Sequence, residues 1–268
     1  METTHNTKQI PSLALDFTSK SICYLVYGND EKMDCGEIPL DSTLDDYRQA
    51  VENAVYDNSF LLNDYRHTTA SLHSNHFVLL PQELNDAGMA RKMIEASFSK
   101  LEGEVLVGNV AGTDAAVACD VDGGLIGFLR RTFPGVVLMH HLSPLVAFCV
   151  KVYAEDTACL HLCIDEKDAH IVVVKQGALM MANSFPYHNL DDVIYYALNV
   201  WKTCGLDARR DMLRLSGDNT LRSQLAEKLR QWIANAMPEI MPAQALRLGR
   251  GAMSIPFNLL TLALYGND

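Results

Sequence analysis

The sequence predicts an α/β protein built from two tandem halves, each with a mixed sheet, and an internal repeat is the main reason. Residues 13–28, LALDFTSKSICYLVYG, align without a gap with residues 162–177, LCIDEKDAHIVVVKQG. A second match pairs residues 44–46 with residues 190–192 at a slightly shorter spacing. Around both matches the chain repeats three strands, a helix and then alternating strands and helices, which is typical of α/β domains. The repeat indicates one fold unit present twice.

Each half is expected to open with short strands and then a helix. In the first half, residues 13–17, 21–27 and 33–39 are β-rich runs separated by polar turns. Ser42 and Asp45 have the spacing of a capping box, so we expect the first helix to begin there. Its apolar side chains recur at the helical period, at Leu44, Tyr47, Ala50, Val51, Ala54 and Val55. The second half repeats this stripe at Leu190, Val193, Tyr196, Ala197, Val200 and Trp201.

The first half then carries more predicted elements than the second. We expect a strand pair at 67–72 and 76–80, a helix at 81–98, strands at 104–110 and 115–121, a helix at 124–132, a strand at 136–139 and a helix at 142–153. In the second half we expect a strand at 212–215, a turn at 216–218, a helix at 221–236, a weak strand at 245–248 and a final helix at 256–265.

The two halves are predicted to span residues 1–154 and 155–268, because the polar residues 155–157 separate two apolar segments. The first half contains an inserted strand and helix segment near residues 63–98 that the second half lacks. Met89 and Met93 lie on its helix, and adaptable methionine surfaces suit partner binding. Covering one face of a sheet is the alternative role. No long linker separates the halves, so we expect a cleft between them.

Composition and charge exclude several partners. The net charge of −11 and the pI near 5.2 argue against nucleic acid or an anionic membrane, because phosphate binding needs clustered lysine and arginine. The first twelve residues lack the apolar core of a secretory signal, and the apolar run at 255–265 is shorter than the ~20 residues of a membrane span. The seven cysteines form no CxxC pair, which indicates reduced thiols. We therefore expect a cytoplasmic protein.

A resemblance follows from the aspartate that ends the first strand of each half and the tight hairpin after it. This pattern resembles the actin-like ATPase superfamily, whose two halves are ribonuclease H-like and whose first hairpins clamp nucleotide phosphates and a metal ion. Residues 76–84, HFVLLPQEL, and residues 133–146, FPGVVLMHHLSPLV, resemble an uncharacterised Bacteroidetes family described as having an actin-like ATPase fold. The resemblance places Asp16, Thr18, Ser19 and Lys20 in the first phosphate loop, Asp165 and Lys167 in the second, and Ser216, Gly217 and Asp218 at the adenosine turn.

The two phosphate loops depart from the pattern of that superfamily. Such loops need glycine so that backbone N–H groups can approach a phosphate closely. None of the sixteen glycines lies within residues 16–21 or 165–170, and three carboxylates stand in the second loop. We therefore predict no catalytic residue, no bound metal and no cofactor, with Mg-ATP as a minor possibility. The predicted function is a binding or scaffold module for an unknown protein partner or for self-association. The alternative is a nucleotide-binding ATPase or phosphotransferase that uses the cleft.

Simpler structural roles stand beside these site predictions. Asp16 and Asp165 lie at strand ends, where aspartate commonly caps backbone N–H groups of a turn. His140 and His141 precede a predicted helix, and capping before Leu142 is favoured over metal binding because no third ligand has suitable spacing. The P-loop, Rossmann, nucleophile-elbow and zincin motifs are all missing from the sequence.

Overall fold

The computed structural model describes residues 10–28, 33–98, 101, 103–154, 158–165, 167–248 and 252–266. Within these residues the strands are β1 (Ser12–Phe17), β2 (Ser21–Tyr27), β3 (Asp34–Pro39), β4 (Thr68–Leu72), β5 (Phe77–Pro81), β6 (Glu104–Asn109), β7 (Ala115–Val121), β8 (Val137–His140), β9 (Ala158–Ile164), β10 (Asp168–Lys175), β11 (Ala178–Pro186), β12 (Met212–Gly217) and β13 (Ala236–Pro238). The α-helices are α1 (Tyr47–Asp57), α2 (Ala87–Ser97), α3 (Gly123–Thr132), α4 (Leu142–Val152), α5 (Leu190–Thr203), α6 (Asn219–Leu229) and α7 (Phe257–Tyr265).

The predicted fold class is confirmed by two five-stranded mixed sheets. The first sheet has the order β3-β2-β1-β4-β8 and the second has the order β11-β10-β9-β12-β13. In each sheet three antiparallel strands are followed by two strands parallel to the first strand of the half. The predicted hairpins, β1 with β2 and β9 with β10, therefore hold equivalent places. The boundary predicted after residue 154 falls at residues 155–157, outside the described residues, and stays a prediction.

Both faces of each sheet are covered. The last helix of each half packs against the sheet of the other half. Helices α1 and α3 share an apolar cluster with β1, while α5 and α6 cover one face of the second sheet. Helix α4 ends the first half but packs against β10 and β11, and α7 ends the chain but packs against β1, β2 and β4. The two helices also contact each other. All six residues of β1 are consequently buried, as in a strand covered on both faces.

Several predicted boundaries are wrong for local reasons. Helix α1 begins at Tyr47 because the Asp46 side chain accepts hydrogen bonds from the backbone of Arg48 and Gln49. Ser42 cannot cap it, since residues 41–44 form a turn closed by the side chain and carbonyl of Asp41. The helix predicted from residue 81 is likewise delayed to Ala87, where Asp86 caps it.

The end of the second half also differs from the prediction. Helix α6 stops at Leu229, because the chain then turns to place β13 parallel to β12 at the sheet edge. The weak strand predicted at 245–248 is a 3-10 helix, Ala243–Leu248, and contributes to the cluster that α7 forms with the first sheet. Tertiary pairing thus overrides the local pattern in this region.

The extra material of the first half forms a small third sheet with the order β5-β7-β6, covered by α2. The predicted pairing of residues 67–72 with 76–80 is wrong, because β4 lies between β1 and β8 while β5 pairs with β7. The segment predicted near 63–98 is therefore divided between two sheets. On its outer side Met89 is 38% exposed, whereas Met93 and Phe98 pack partly buried on the small cluster. No helix in the described part of the chain is long and apolar enough to cross a membrane.

Replacing Gly217 by alanine is expected to destabilise the protein by about 2 kcal/mol or more. Gly217 has a φ of +92°, and a Cβ there would overlap the backbone of Ile164 at the end of β9. Urea unfolding followed by circular dichroism measures the change. Gly108→Ala is the matched control, because nothing lies within 4 Å of its Cβ position, and its effect should stay within about 1 kcal/mol. Equal stability of the two variants would contradict the tight packing of this turn.

Candidate functional site

The candidate site is the cleft where the carboxyl ends of the parallel strands of both sheets meet. In open α/β sheets, ligands bind beyond the carboxyl ends of the strands. The first sheet brings Asp16 of β1, Ser71 of β4 and His73 just beyond β4 to this edge. The second sheet contributes Asp165, which follows β9, and His170 of β10. Asp16 and Asp165 therefore lie on opposite sides of one cleft.

Both carboxylate oxygens of Asp16 contact other side chains of the protein. Ser71 Oγ donates a hydrogen bond to Asp16 Oδ1 at 2.5 Å, and His73 Nε2 lies 3.1 Å from the same oxygen. Asn258 Nδ2, from α7, donates to Asp16 Oδ2 at 3.3 Å. The Asp16 side chain is only 2% exposed. It is thus a buried anchor that joins β1 to β4 and to α7, and the prediction that it forms a turn is wrong.

Asp165, in contrast, is the turn residue that the sequence predicted. Its Oδ1 accepts hydrogen bonds from the backbone N–H groups of Lys167 at 2.9 Å and Asp168 at 2.7 Å. Its Oδ2 lies 2.9 Å from His170 Nε2, and its backbone carbonyl accepts a hydrogen bond from the Tyr187 hydroxyl. Both carboxylate oxygens are therefore in use within the second half.

A stack of imidazole rings fills the space between the two aspartates. The His73 and His141 rings are parallel, with centroids 4.2 Å apart, whereas the His170 ring is tilted by 59° against His141, with centroids 4.7 Å apart. We call His73, His141 and His170 the histidine stack. Since His73 pairs with Asp16 and His170 with Asp165, the stack links one aspartate to the other across the cleft.

His140 and Ser184 border this arrangement. His140 Nδ1 accepts a hydrogen bond from the Leu142 backbone, and its Nε2 lies 2.9 Å from the Ser74 carbonyl. It is thus His140, and not His141, that performs the predicted capping before α4. Ser184 Oγ, from β11, lies 2.8 Å from His170 Nδ1 and 3.4 Å from His141 Nε2. His141 Nδ1 is buried and has no hydrogen-bond partner among the described residues.

The pKa shifts of the carboxylates reflect these pairs. Burial alone would raise the pKa of Asp16, but the charge of His73 and three side-chain hydrogen bonds outweigh it and lower the pKa. Burial likewise opposes ionisation of Asp165, yet the bonds from His170 and two backbone N–H groups lower its pKa to about 2. Asp168 behaves differently, because burial and the nearby charge of Asp165 raise its pKa.

The pKa values of the histidines move in opposite directions. Burial lowers the pKa of His73, but the Asp16 carboxylate overcomes this effect, and the net shift is upward. Burial and the neighbouring imidazoles hold the pKa of His141 well below its usual value. The pKa of His140 falls to about 3, mainly through burial. The charged form is therefore favoured at His73 and the neutral form at His141.

The other residues of the predicted phosphate loops lie away from this stack. Thr18 closes the β1–β2 hairpin, where its Oγ1 accepts hydrogen bonds from the backbone of Lys20 at 3.2 Å and Ser21 at 3.0 Å. Ser19, Lys20 and Lys167 are exposed on the hairpin tips. The structure thus brings together the two aspartates of the predicted site but not their loop partners.

Ser216, predicted at the adenosine turn, is buried in a separate hydrogen-bond network. His161 Nε2 lies 2.8 Å from Ser216 Oγ, and His161 Nδ1 lies 3.0 Å from the Tyr153 hydroxyl, which donates to Glu239. Serine, histidine and an acid occur here in the order of a catalytic triad. Ser216 and His161 are both 0% exposed, and Phe257 stacks on the histidine ring. The network therefore joins α4, β9 and β12 as a structural contact and has no access for a substrate.

The remaining two residues of that turn are also structural. Gly217 allows the close approach of β12 to the end of β9. Asp218 caps α6, where its Oδ1 accepts hydrogen bonds from the backbone of Thr220 at 2.9 Å and Leu221 at 2.8 Å. Backbone geometry thus explains the glycine at position 217, and helix capping explains the aspartate at position 218.

The space left in the cleft is small. A cavity beside the histidine stack contains about 300 Å³ of empty volume, part of it open to solvent. Its walls include Cys163, Phe257, Asn258 and the three rings of the stack. The described residues contain no group of three or more His, Cys, Asp or Glu side chains placed to hold a metal ion.

His73 and His170 are the site residues that sequence reasoning missed. A signal for them existed, because His73 follows β4, His140 and His141 lie at the end of β8, and His170 lies at the start of β10. Those strand ends share one edge, so histidines there could have been expected to meet. The internal match did not reveal them, since it pairs His170 with a position of the first half that holds Ser21.

Replacing Asp16 by asparagine is expected to destabilise the protein by about 3 kcal/mol near pH 6, because it leaves a buried histidine without its counter-ion. The lowered pKa of Asp16 gives stability that is present above its ordinary pKa near 4 and is lost as pH falls below it. The raised pKa of His73 gives stability that is full below about 6.5 and is lost as pH rises through the folded pKa. The difference between the proteins should therefore be greatest between about pH 4 and pH 6.5.

Urea unfolding across pH and a proton NMR titration of His73 measure these effects. In Asp16→Asn the pKa of His73 should fall. Exposed Asp45→Asn serves as the control and should change stability by less than about 0.5 kcal/mol. An unchanged His73 pKa in Asp16→Asn would show that this ion pair does not hold the histidine.

Comparison with known proteins supports the topology described above. No curated protein matches the sequence. A Bacteroides thetaiotaomicron protein described as having an actin-like ATPase fold and unknown function is 20% identical, with a TM-score of 0.79 over 97% of this chain and 99% of that one. A chain of the PilM-PilN type IV pilus biogenesis complex is 14% identical, with a TM-score of 0.56 over 96% and 98%. The ethanolamine utilization protein EutJ from Carboxydothermus hydrogenoformans is 11% identical, with a TM-score of 0.47 over 96% and 90%.

The first two of these likenesses establish the fold and leave the activity open, because their identities are low. The predicted resemblance to the actin-like superfamily is confirmed at the level of fold. A family model described as a protein of unknown function, DUF3822, matches residues 2–236, which is most of the chain. The chain therefore belongs to the DUF3822 family and has an actin-like ATPase fold.

Proposed function

We propose that this protein is a non-enzymatic binding or scaffold module whose actin-like cleft is closed by side chains instead of being filled by a nucleotide. The observation that carries the proposal is the histidine stack between Asp16 and Asp165. In the superfamily that the sequence resembles, the corresponding hairpins clamp phosphates and a metal ion. Here both aspartates already have partners, so a nucleotide would have to displace an ordered set of interactions.

The chemistry of the two loops also opposes phosphate binding. Neither loop has a glycine, and the first loop directs the Thr18 hydroxyl at its own backbone. In the second loop, the backbone N–H groups of Lys167 and Asp168 donate to Asp165, so they are not available for a phosphate. The side-chain carboxyl group of Asp168 adds a further acid beside these N–H groups. A polyphosphate would meet carboxylates where it needs donors.

A role in protein assembly is consistent with the fold. The PilM-PilN complex contains a chain of similar fold over nearly its whole length, and there the fold serves in a protein–protein complex. On this chain, the third sheet and α2 form the part of the first half that the second half lacks. Leu84 and Met89 are 37% and 38% exposed on this part. We propose this surface as the contact for a protein partner or for a second copy, in the cytoplasm.

Mg-ATP is expected to leave the melting temperature unchanged, and the protein should release no phosphate above background. A ligand at about 100 times its dissociation constant would add about 2.7 kcal/mol to stability, which is readily visible in a melting curve. Differential scanning fluorimetry and a phosphate-release assay measure both properties. Turnover that is lost in Asp16→Ala or Asp165→Ala would contradict the proposal and support the alternative, an ATPase or phosphotransferase.

A photo-crosslinking amino acid placed at Met89 is expected to form a discrete adduct in the native cells, because the proposed contact surface includes this residue. The same amino acid at Tyr195, which is 65% exposed on α5 of the second half, is the matched control and should form none. Mass spectrometry of the adduct distinguishes a different partner from a second copy of this chain. Equal labelling at both positions, or labelling only at Tyr195, would move the contact away from the third sheet.

A further inference from the structure

We propose that the histidine stack is a proton-operated latch that holds the two halves closed at neutral pH and releases them when His141 is protonated. The inference is independent of the proposed function, since it concerns the relative position of the halves and requires no partner. It also differs from a metal or nucleotide site, because the rings contact each other and not a ligand.

The geometry of the stack makes it a connection between halves. His73 and His141 come from the first half, where they follow β4 and β8, and His170 comes from β10 of the second half. The contact of His141 with His170, at 4.7 Å between centroids, and its 3.4 Å approach to Ser184 of β11 both cross the cleft. Each outer ring is anchored to an aspartate of its own half. Separation of the halves would therefore break the stack at His141.

His141 must be neutral for this stack to form. The ring lies 4.2 Å from both His73 and His140, and Asp16 raises the pKa of His73 and so favours its charged form. A proton on His141 would place a second positive charge against the first in a buried site, where like charges repel strongly. Its Nδ1 has no acceptor within the described residues, so a proton there would also lack a hydrogen bond.

The groups that face His141 offer it no compensating charge. Beyond His73, His140 and His170, the neighbouring segments present Asp16 of β1, Cys163 of β9, Asp165 after β9 and Asp168 of β10. Asp16 and Asp165 are already paired with the outer histidines, and burial raises the pKa of the Cys163 thiol to about 12, so the thiol is neutral. From α7, Asn258 and Thr261 are neutral, as is Ser184 of β11. Asp168 is the remaining acid, and its own pKa is raised.

The sign of the pH dependence follows from the lowered pKa of His141. In the open state the ring loses its contact with His170 and gains solvent, so its pKa moves up toward the ordinary value near 6.5, whereas in the closed state burial holds the pKa well below that value. The closed state is therefore favoured fully above about pH 6.5 and loses its advantage as pH falls below that value. The equilibrium constant for opening should rise about fivefold from pH 6.5 to pH 5.5 and approach a tenfold rise per unit at lower pH. His73 stays paired with Asp16 of its own half when the halves separate.

Hydrogen exchange measured by mass spectrometry tests the latch on the whole chain. Between pH 6.5 and pH 5.5, after correction for intrinsic exchange, protection of the peptide covering residues 139–146, where α4 begins at the cleft, should fall about fivefold. Protection of residues 13–17 in β1 and of residues 168–174 in β10 should stay constant, because opening leaves both sheets intact. His141→Phe keeps a stacking ring that cannot be protonated and should abolish the fall. His67→Phe, at an exposed site, is the matched control and should behave as the native chain does.

Two results would overturn the proposal. One is an equal loss of protection in His141→Phe and the native chain, and the other is a uniform loss that includes residues 13–17, which indicates global unfolding. A second measurement on the native chain avoids any folding defect of the variant. Nitrogen NMR should show His141 neutral in the closed form, with its proton uptake coincident with the loss of protection. Titration of His141 near 6.5 in a chain that stays closed would also refute the latch.

Discussion

The structure depends on the exchange of the terminal helices between the two halves. Helix α4 is apolar on every side, and all residues from Leu142 to Val150 are buried because it packs against the second sheet and against α7. Helix α7 in turn covers the face of the first sheet that α1 and α3 leave open. Neither sheet would have two covered faces without the helix of the other half. This exchange sets the position of the cleft, since both helices lie beside it.

Two polar arrangements follow from that packing and divide the site predicted from sequence. At the cleft, Asn258 of α7 reaches Asp16, so the helix that covers the first sheet also helps to bind its aspartate. Behind it, Tyr153 at the end of α4 joins His161 and Ser216 of the second sheet. The first arrangement borders a small open cavity, and the second is sealed by aromatic rings. Only the first has the exposure that ligand or proton exchange requires.

The sequence predicted the fold well because its strongest signals were local and repeated. The first hairpins and most of the helical stripes of α1 and α5 depend on near neighbours, and the structure confirms them, although Leu44 precedes α1 and Tyr47 is exposed. The β4–β5 pairing failed because strand partners are chosen by tertiary packing, which a single run of β-formers does not specify. The histidine stack was missed for a similar reason. His73, His141 and His170 lie far apart in the chain, and their meeting depends on how two sheets face each other.

The helix exchange also constrains the order in which the chain can mature during synthesis. Residues leave the ribosome from the N-terminus at ~5–20 per second, and domains generally fold as they emerge. Strand β1 lies far ahead of its cover, α7, in the sequence. The first sheet must therefore wait with one apolar face open until α7 has been synthesised. The first half is thus completed only after the second half has been made.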